Sequence, residues 1–340
     1  MSEVRSPAGA LALTRASLVS SQAKFFRQIG APVDSALARN CLPSHIEEIP
    51  DEWVPYANTR RFMADMMLQE GLYDPRLWRD VCAFSALGSK YRHRILSTAN
   101  LLEALHRMAG DAWLQNSAAS VWLELDGEHA RSCVAVPWAR ELGHAIAETV
   151  NIALMRSVIG AYAGRDLTPT RILLQATEQE LHFNPADAYE DVPVLTGQPC
   201  TALEFPRQWL SLTGGDVDKE AVEAGEQLNS SLSRTLERCL QSYLADGYPS
   251  IELASELVCC SSRTLQRRLR AEGSSYRQVV QRARFDAAQE MLADQEMPVT
   301  FISRMLGYSE TAAFSRAFYG WAGCSPTEYR RWYSGSAAGI

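Results

Sequence analysis

Nine residues near the C-terminal end carry the side chains best suited to meeting a partner: Ser261-Ser262-Arg263-Thr264-Leu265-Gln266-Arg267-Arg268-Leu269. Ser261 is a good helix N-cap, because its hydroxyl can accept from a free amide of the first turn. Leu265 and Leu269 stand four apart and share one face of the helix that follows. Arg263, Gln266, Arg267 and Arg270 then fall on the other faces. An apolar keel beneath an Arg/Gln deck suits the major groove of DNA, where Arg gives two hydrogen bonds to guanine and Gln pairs with adenine. A solvated basic surface helix fits the same stretch equally well.

The net charge of −7 looks wrong for a DNA-binding protein until it is divided. Residues 1–224 hold 20 Lys+Arg against 28 Asp+Glu, a balance of −8, whereas residues 225–340 hold 13 arginines against 12 acids, a balance of +1. Seven arginines (263, 267, 268, 270, 277, 282 and 284) face Glu272 alone within 263–284. A local field of that kind can neutralise phosphates even on an acidic protein.

At 340 residues, with 46% apolar and 21% charged residues, the chain can build two domains with real cores. There is no apolar run of about 18 residues, so no membrane partner is expected. Residues 1–20 lack a basic start followed by an unbroken apolar core, which argues against a signal peptide. The eight cysteines form no C-x-x-C pair and no zinc-finger spacing with histidine. They read as reduced core thiols of a cytoplasmic protein, and neither metal nor cofactor is expected.

Periodicity then supplies the elements. Helices are expected over Ser17–Ile29, Asp34–Asn40 (capped by Asp34), Tyr56–Glu70 (closed by Gly71), from Asp74-Pro75, and over Ser97–Met108. Ala119–Leu125 and Ala130–Val136 alternate around the turn signal Asp126-Gly127. A long helix over about 138–160 follows, then short strands at Arg171–Ala176, Val192–Leu195 and Thr201–Phe205. The expected fold is an α+β N-terminal domain, helices with a small, mostly antiparallel sheet, followed by an all-α domain. In the latter, helices are expected over 223–244, from Ser250 to Val258, from Ser261 to Gly273, and from Ser274 to Asp294. Further helices follow from Pro298 to Leu306, from Ser309 to Trp321, and from Pro326.

A degenerate repeat tips the balance for the Arg/Gln helix. Ser255–Cys259 matches Ser303–Gly307 at an offset of 48, and Leu265, Arg267 and Leu269 match Phe314, Arg316 and Phe318 at an offset of 49. Each copy is a helix, a tight turn and a second helix, the helix-turn-helix plan. An intervening helix of roughly 20 residues sets the copies about 30 Å apart, near one turn of B-DNA.

With these motifs the chain resembles the AraC/XylS family of bacterial transcription regulators. The resemblance rests on Ser262–Leu269, on Leu306-Gly307-Tyr308-Ser309, on Phe314-Ser315-Arg316-Ala317-Phe318 and on Trp321–Arg330. The layout from Pro137 through Pro169 to Leu203-Glu204-Phe205 is similar to the ligand-binding domain of the OruR/VirS-like subgroup. The resemblance implies base contacts from Arg263, Gln266 and Arg267 in the first motif, and from Thr311, Ala312, Ser315 and Arg316 in the second. Thr311 and Ala312 are small and Glu310 is negative, so the first motif should discriminate sequence while the second clamps backbone. Arg316 has a structural ion pair as its alternative. Ser261, Arg268, Arg270, Arg277 and Arg282 are phosphate-contact candidates, with a solvated face as the other reading.

The implied organisation is a flexible N-terminus (1–16), an effector-binding and dimerisation domain (17–211) and a linker (212–222). A DNA-binding domain follows (223–333), with motifs at about 250–272 and 299–321, and then a flexible tail (334–340). No hydrolase, nucleotide or zinc-protease motif occurs, so no enzyme is expected. His182 reads as a surface or capping residue, or else as a pocket residue. Cys259-Cys260 reads as turn packing, or else as a redox switch. Trp53, Trp78, Trp113, Trp122, Trp138 and Trp209 read as core, or else as a pocket lining. The expected partners are double-stranded promoter DNA, an unidentified small-molecule effector and a second copy of the chain, with RNA polymerase as a further candidate. The expected function is a DNA-binding regulator, an activator. The rival is a ligand-independent regulator whose N-terminal domain binds a protein.

Overall fold

The computed structural model describes residues 11–71, 81, 86–136, 143–164, 167–181, 183–189, 192–213 and 231–337. The chain divides into two units, Ala12–Leu228 and Asn229–Ile340. The fold class is the one expected: helices with a small, mostly antiparallel sheet in the first unit, and an all-helical second unit.

In the first unit, β1 (Leu13–Arg15) pairs antiparallel with β2 (Trp53–Pro55). Three helices, α1 (Ala16–Gln28), α2 (Val33–Arg39) and α3 (Tyr56–Glu70), pack on one another. Phe26 and Phe62, both fully buried, meet edge to face at 6.2 Å, each contributing about 1.5–3 kcal/mol by burial alone. Next come α4 (Ser89–Leu96) and α5 (Leu101–Asp111). They lead into the hairpin of β3 (Ser120–Asp126) and β4 (His129–Ala135), which turns at Gly127. With β5 (Arg171–Leu173), β6 (Val194–Leu195) and β7 (Thr201–Pro206) the hairpin forms a sheet in the order β3-β4-β7-β5-β6. Only the β5–β6 pair is parallel.

The helix α6 (His144–Ala163) belongs to both cores of this unit. Ile146, Val150 and Ala153 join Phe26, Phe62 and Met66 in one cluster. Ile152, Met155, Val158 and Ile159 join Val134, Ile172, Leu203 and Phe205 of the sheet in the other. Among the described residues of α6 only Ala161 is exposed. The apolar stripe of α6 is therefore covered within the unit.

The second unit is α7 (Leu232–Gln241), α8 (Ile251–Leu257), α9 (Ser262–Ala271), α10 (Tyr276–Ala293), α11 (Val299–Met305), α12 (Thr311–Ala322) and α13 (Pro326–Ala337). Around α10, one core gathers Leu292, Ile302, Leu306, Phe314 and Phe318.

Several expectations need correction. The flexible start expected over 1–16 does not hold for Leu13–Arg15, because Leu13 is fully buried and its strand is paired. Asp34 does not cap α2, which starts after Pro32; its carboxylate pairs with Arg27 at 2.7 Å instead. The helix expected from Ser97 begins at Leu101, since Asn100 accepts from the Glu103 amide while Ser97 closes the unexpected α4. Ser275, not Ser274, caps α10, and Glu310, not Ser309, precedes α12. The helix at Asp74-Pro75, the start of the long helix before 143, and residues 214–230 of the linker and of the helix expected from 223 lie outside the described residues. So do Trp78, Trp138 and His182.

Candidate functional site

The two copies of the motif are built on the same hydrogen bonds. In the first turn, the Cys259 amide donates to the Glu256 carbonyl and the Cys260 amide to the Ser255 carbonyl, both at 3.0 Å. In the second, Gly307 donates to Arg304 at 2.9 Å and Tyr308 to Ser303 at 3.0 Å. The repeated position is left-handed in both copies, at φ 51 for Cys259 and 74 for Gly307. Only the second copy requires glycine sterically: a Cβ at 307 would stand 2.7 Å from the Leu244 carbonyl oxygen. Cys259 is exposed rather than packed in its turn, and Cys260 is half-buried, its thiol raised by that burial.

Three ties position α9. The Ser261 hydroxyl accepts from the Thr264 amide at 3.3 Å. The Ser255 hydroxyl donates to the Ile251 carbonyl and contacts Ser262 at 3.1 Å, locking the turn. Beyond its last turn, the Glu272 carboxylate accepts from the Leu232 and Ser233 amides at 2.9 Å. Burial raises that carboxyl, but those amide bonds outweigh it and hold the group below its ordinary value. Leu265 and Leu269 are fully buried beneath the helix, and Arg263, Gln266, Arg267 and Arg270 are exposed above them. The helix is thus a fixed apolar keel under a solvent-facing Arg/Gln deck.

The second deck is plainer. Phe314 and Phe318 are fully buried, Ala312 and Arg316 are exposed, and Thr311 is half-buried. The Ser315 hydroxyl donates to the Thr311 carbonyl of its own helix at 3.0 Å. Arg316 forms no ion pair with a described residue, so its structural alternative is not taken up. Tyr319, 60% exposed, continues the row from Thr311 and Ser315 at i+4 spacing and escaped the sequence reading, although that spacing pointed to it.

Of the seven arginines between 263 and 284, two of those on α10 are engaged within the unit. Arg282, expected to contact phosphate, instead donates to the buried Glu237 carboxylate at 2.9 Å and to Ser274 at 2.8 Å. The physical reason is that Glu237 is 2% exposed and needs cationic partners, which Arg282 and Arg234 supply. Arg284 is buried with its guanidinium against the rings of Tyr248 and Tyr308, 4.9 and 4.6 Å from their centroids. Arg263, Arg267, Arg270 and Arg277 are exposed, and Arg268 is half-buried.

The first unit holds a cavity of about 150 Å³. Its wall is mostly apolar, with Tyr56, Arg60 and Gln22 among the polar groups and α6 contributing Ile146, Val150 and Met155. No described tryptophan lines it. Trp209 stacks on Phe205, Trp53 lies under Arg15, and Trp122 donates to Glu124. Among the described residues no helix is long and apolar enough to cross a membrane.

A family model described as a helix-turn-helix domain matches residues 254–331. Another, described as the arabinose-binding domain of AraC transcription regulator, matches residues 30–213, more than half of the chain. HTH-type transcriptional regulator VqsM of Pseudomonas aeruginosa is 41% identical over 38% of this chain and 43% of its own length. The ornithine utilization regulator of the same organism is 29% identical over 39% of this chain and 42% of its own length. The chain thus spans about two fifths of the length of these two relatives. The solved structure of transcriptional regulator CdpR from Pseudomonas aeruginosa aligns over 87% of this chain and 97% of its own, at 18% identity and a TM-score of 0.34. So loose a fit carries no argument.

Proposed function

The chain belongs to the AraC family of transcription regulators, and from that premise we propose that it binds promoter DNA sequence-specifically, as an activator controlled by a small molecule held in its N-terminal unit. One observation carries the DNA-binding part: a motif built twice on the same backbone bonds, whose first copy presents Arg263, Gln266 and Arg267 to solvent over a buried leucine pair. Those three side chains read base edges. Ser261, Arg268, Arg270 and Arg277 hold phosphates, and Thr311, Ala312, Ser315 and Arg316 steady the second groove. The cavity supports an effector site over the rival reading of a protein-only partner, because it is a half-open, mostly apolar space with a few polar groups. A cytoplasmic setting, a homodimer, contact with RNA polymerase and the lack of a catalytic role complete the reading, and family membership supports each. With the face of α6 covered, a dimer must use another surface.

A gel-shift comparison tests the reading. Arg267→Ala should weaken binding to the cognate promoter by about 1–3 kcal/mol and relax discrimination at one base position. A mutant that still discriminates as the wild type does would remove Arg267 from the reader.

A further inference from the structure

The five-stranded sheet of the N-terminal unit has two unequal edges. At one end, β6 is two residues long. At the other, β3 runs for seven residues and pairs with β4 in unbroken register. It contains no lysine, proline or glycine, so the usual means of blunting an exposed edge are missing. Hydrogen bonds fix which groups β3 turns outward. The Arg207 amide donates to the Glu128 carbonyl at 2.8 Å, one step beyond the His129–Pro206 pair. Alternation along β4 then directs the main-chain groups of Ala130, Ser132 and Val134 to β7, and those of His129, Arg131, Cys133 and Ala135 to β3. The last four meet Asp126, Glu124, Trp122 and Ser120. Val121, Leu123 and Leu125 therefore aim their N–H and C=O groups out of the free edge, where among the described residues no strand pairs with them. Leu125 is also 52% exposed.

We propose that β3 is the dimer surface, pairing antiparallel with β3 of a second copy about a two-fold axis at Leu123. The inference rests on the homodimer reading and names its surface, which the covered face of α6 does not supply. In this register Leu123 faces its own copy and Val121 faces Leu125 on either side, joining the outward groups by roughly six main-chain hydrogen bonds. Val121 and Leu123 pack against the core of the sheet, and a two-fold axis normal to the sheet keeps like faces on one side. Charge selects the register. Trp122 falls opposite Glu124 and Ser120 opposite Asp126, so no carboxylate meets its like. Within the chain Trp122 Nε1 already donates to Glu124 Oε1 at 2.8 Å, and Arg131 lies 3.2 Å from Asp126. Sliding the strands by two residues one way sets Glu124 against Glu124. The other way pairs Leu125 with a residue beyond the end of the strand, and a slide of one opposes outward groups to inward ones. Because the pairing consumes both free edges, the assembly closes at two copies.

The test is sedimentation equilibrium and residue-resolved amide hydrogen exchange on the full-length protein across a concentration series. Sedimentation should show monomers passing to dimers and no further. Over the same range, protection should rise at the amides of Val121, Leu123 and Leu125, while those of Trp122 and Glu124, bonded to β4, change little. Leu125→Pro removes an outward N–H from each copy and leaves the β4 ladder intact, so it should weaken the dimer roughly tenfold or more. Leu125→Val keeps that N–H and should dimerise as the wild type does. Undiminished protection at Trp122 and Glu124 shows that the hairpin of the proline variant is folded; if it is lost, the alternating exchange pattern of the wild type decides by itself. A dimer without that pattern, or one equally tight in Leu125→Pro, overturns β3 as the surface and leaves the homodimer reading standing. A protein that stays monomeric at every concentration removes both. Growth beyond the dimer overturns the closed pair.

Discussion

Replacing Gly307 with alanine probes the turn that joins α11 to α12. At φ 74 the residue is left-handed, a conformation in which a Cβ costs about 1–2 kcal/mol. The new methyl would also stand 2.7 Å from the Leu244 carbonyl oxygen and 3.0 Å from the Gly247 carbonyl carbon. Both are backbone atoms that cannot swing aside, and overpacking of this kind adds about 1–3 kcal/mol. The total is roughly 3 kcal/mol, a large part of the stability of a unit this size. Gly273 supplies the control: its φ is 70 and a Cβ there meets nothing within 4 Å. Gly273→Ala should therefore cost only the backbone share, about 1–2 kcal/mol. Because the chain has two units, a single melting curve mixes their transitions. Hydrogen exchange at the amides of Leu265, Val280, Ile302 and Phe318 reads the second unit by itself. Gly307→Ala should lower their protection more than Gly273→Ala does. Equal losses in the two variants would refute the close approach of Gly307 to the Leu244 and Gly247 backbone.

Arg282 and Arg277 lie on the same helix and should separate cleanly. Arg282→Ala removes one of the two guanidiniums on buried Glu237 and should cost roughly 2 kcal/mol of stability, discounted because Arg234 remains. It should leave the salt dependence of DNA binding unchanged. Arg277→Ala should alter stability by less than about 0.5 kcal/mol and lower the slope of log K against log salt by about 1, and the converse pattern in gel shifts across a salt series would reverse the two roles. Asp286 is held by burial, and then by its hydrogen bond to Glu237, with its carboxyl pushed up from 3.8 to about 6. A raised carboxyl gives stability that is present below its unfolded value and lost as pH rises through the folded one. Asp286→Asn should therefore stabilise the second unit near pH 7 by about 1 kcal/mol, after allowance for its partial exposure, and by nothing near pH 4; a gain equal at both pH values in urea titrations would dismiss the coupling.

The parts of the molecule legible in the sequence are those decided within a few residues. Ser250 and Ser261 cap their helices as their spacing from the buried leucines implies, and Gly71 and Gly127 turn the chain where they were expected to. Where two polar residues competed for a cap, local chemistry could not choose, and Ser309 against Glu310 and Ser97 against Asn100 went to the second of each pair. The role of Arg282 was hidden because its partner, Glu237, is 45 residues away. The β1–β2 ladder was hidden for a like reason: three-residue strands show no period, and Leu13 pairs with Pro55 across the two helices α1 and α2. The cavity has no sequence signature at all, since its wall is drawn from strands and helices scattered between Thr14 and Val158. The helix α9 was legible because its cap, its buried leucines and its Arg/Gln face all lie within ten residues.

The sharing of α6 between two cores carries a mechanical consequence. A helix held by one core transmits a disturbance only to that core, but α6 gives Ile146, Val150 and Ala153 to one and Ile152, Met155, Val158 and Ile159 to the other, so neither can relax without shifting the other's neighbours. The cavity is the gap where that coupling is weakest, because its lining atoms lack partners across the void. An occupant would fill the missing contacts and bind the helical half and the sheet half into one cooperative block, exchanging slack for stiffness.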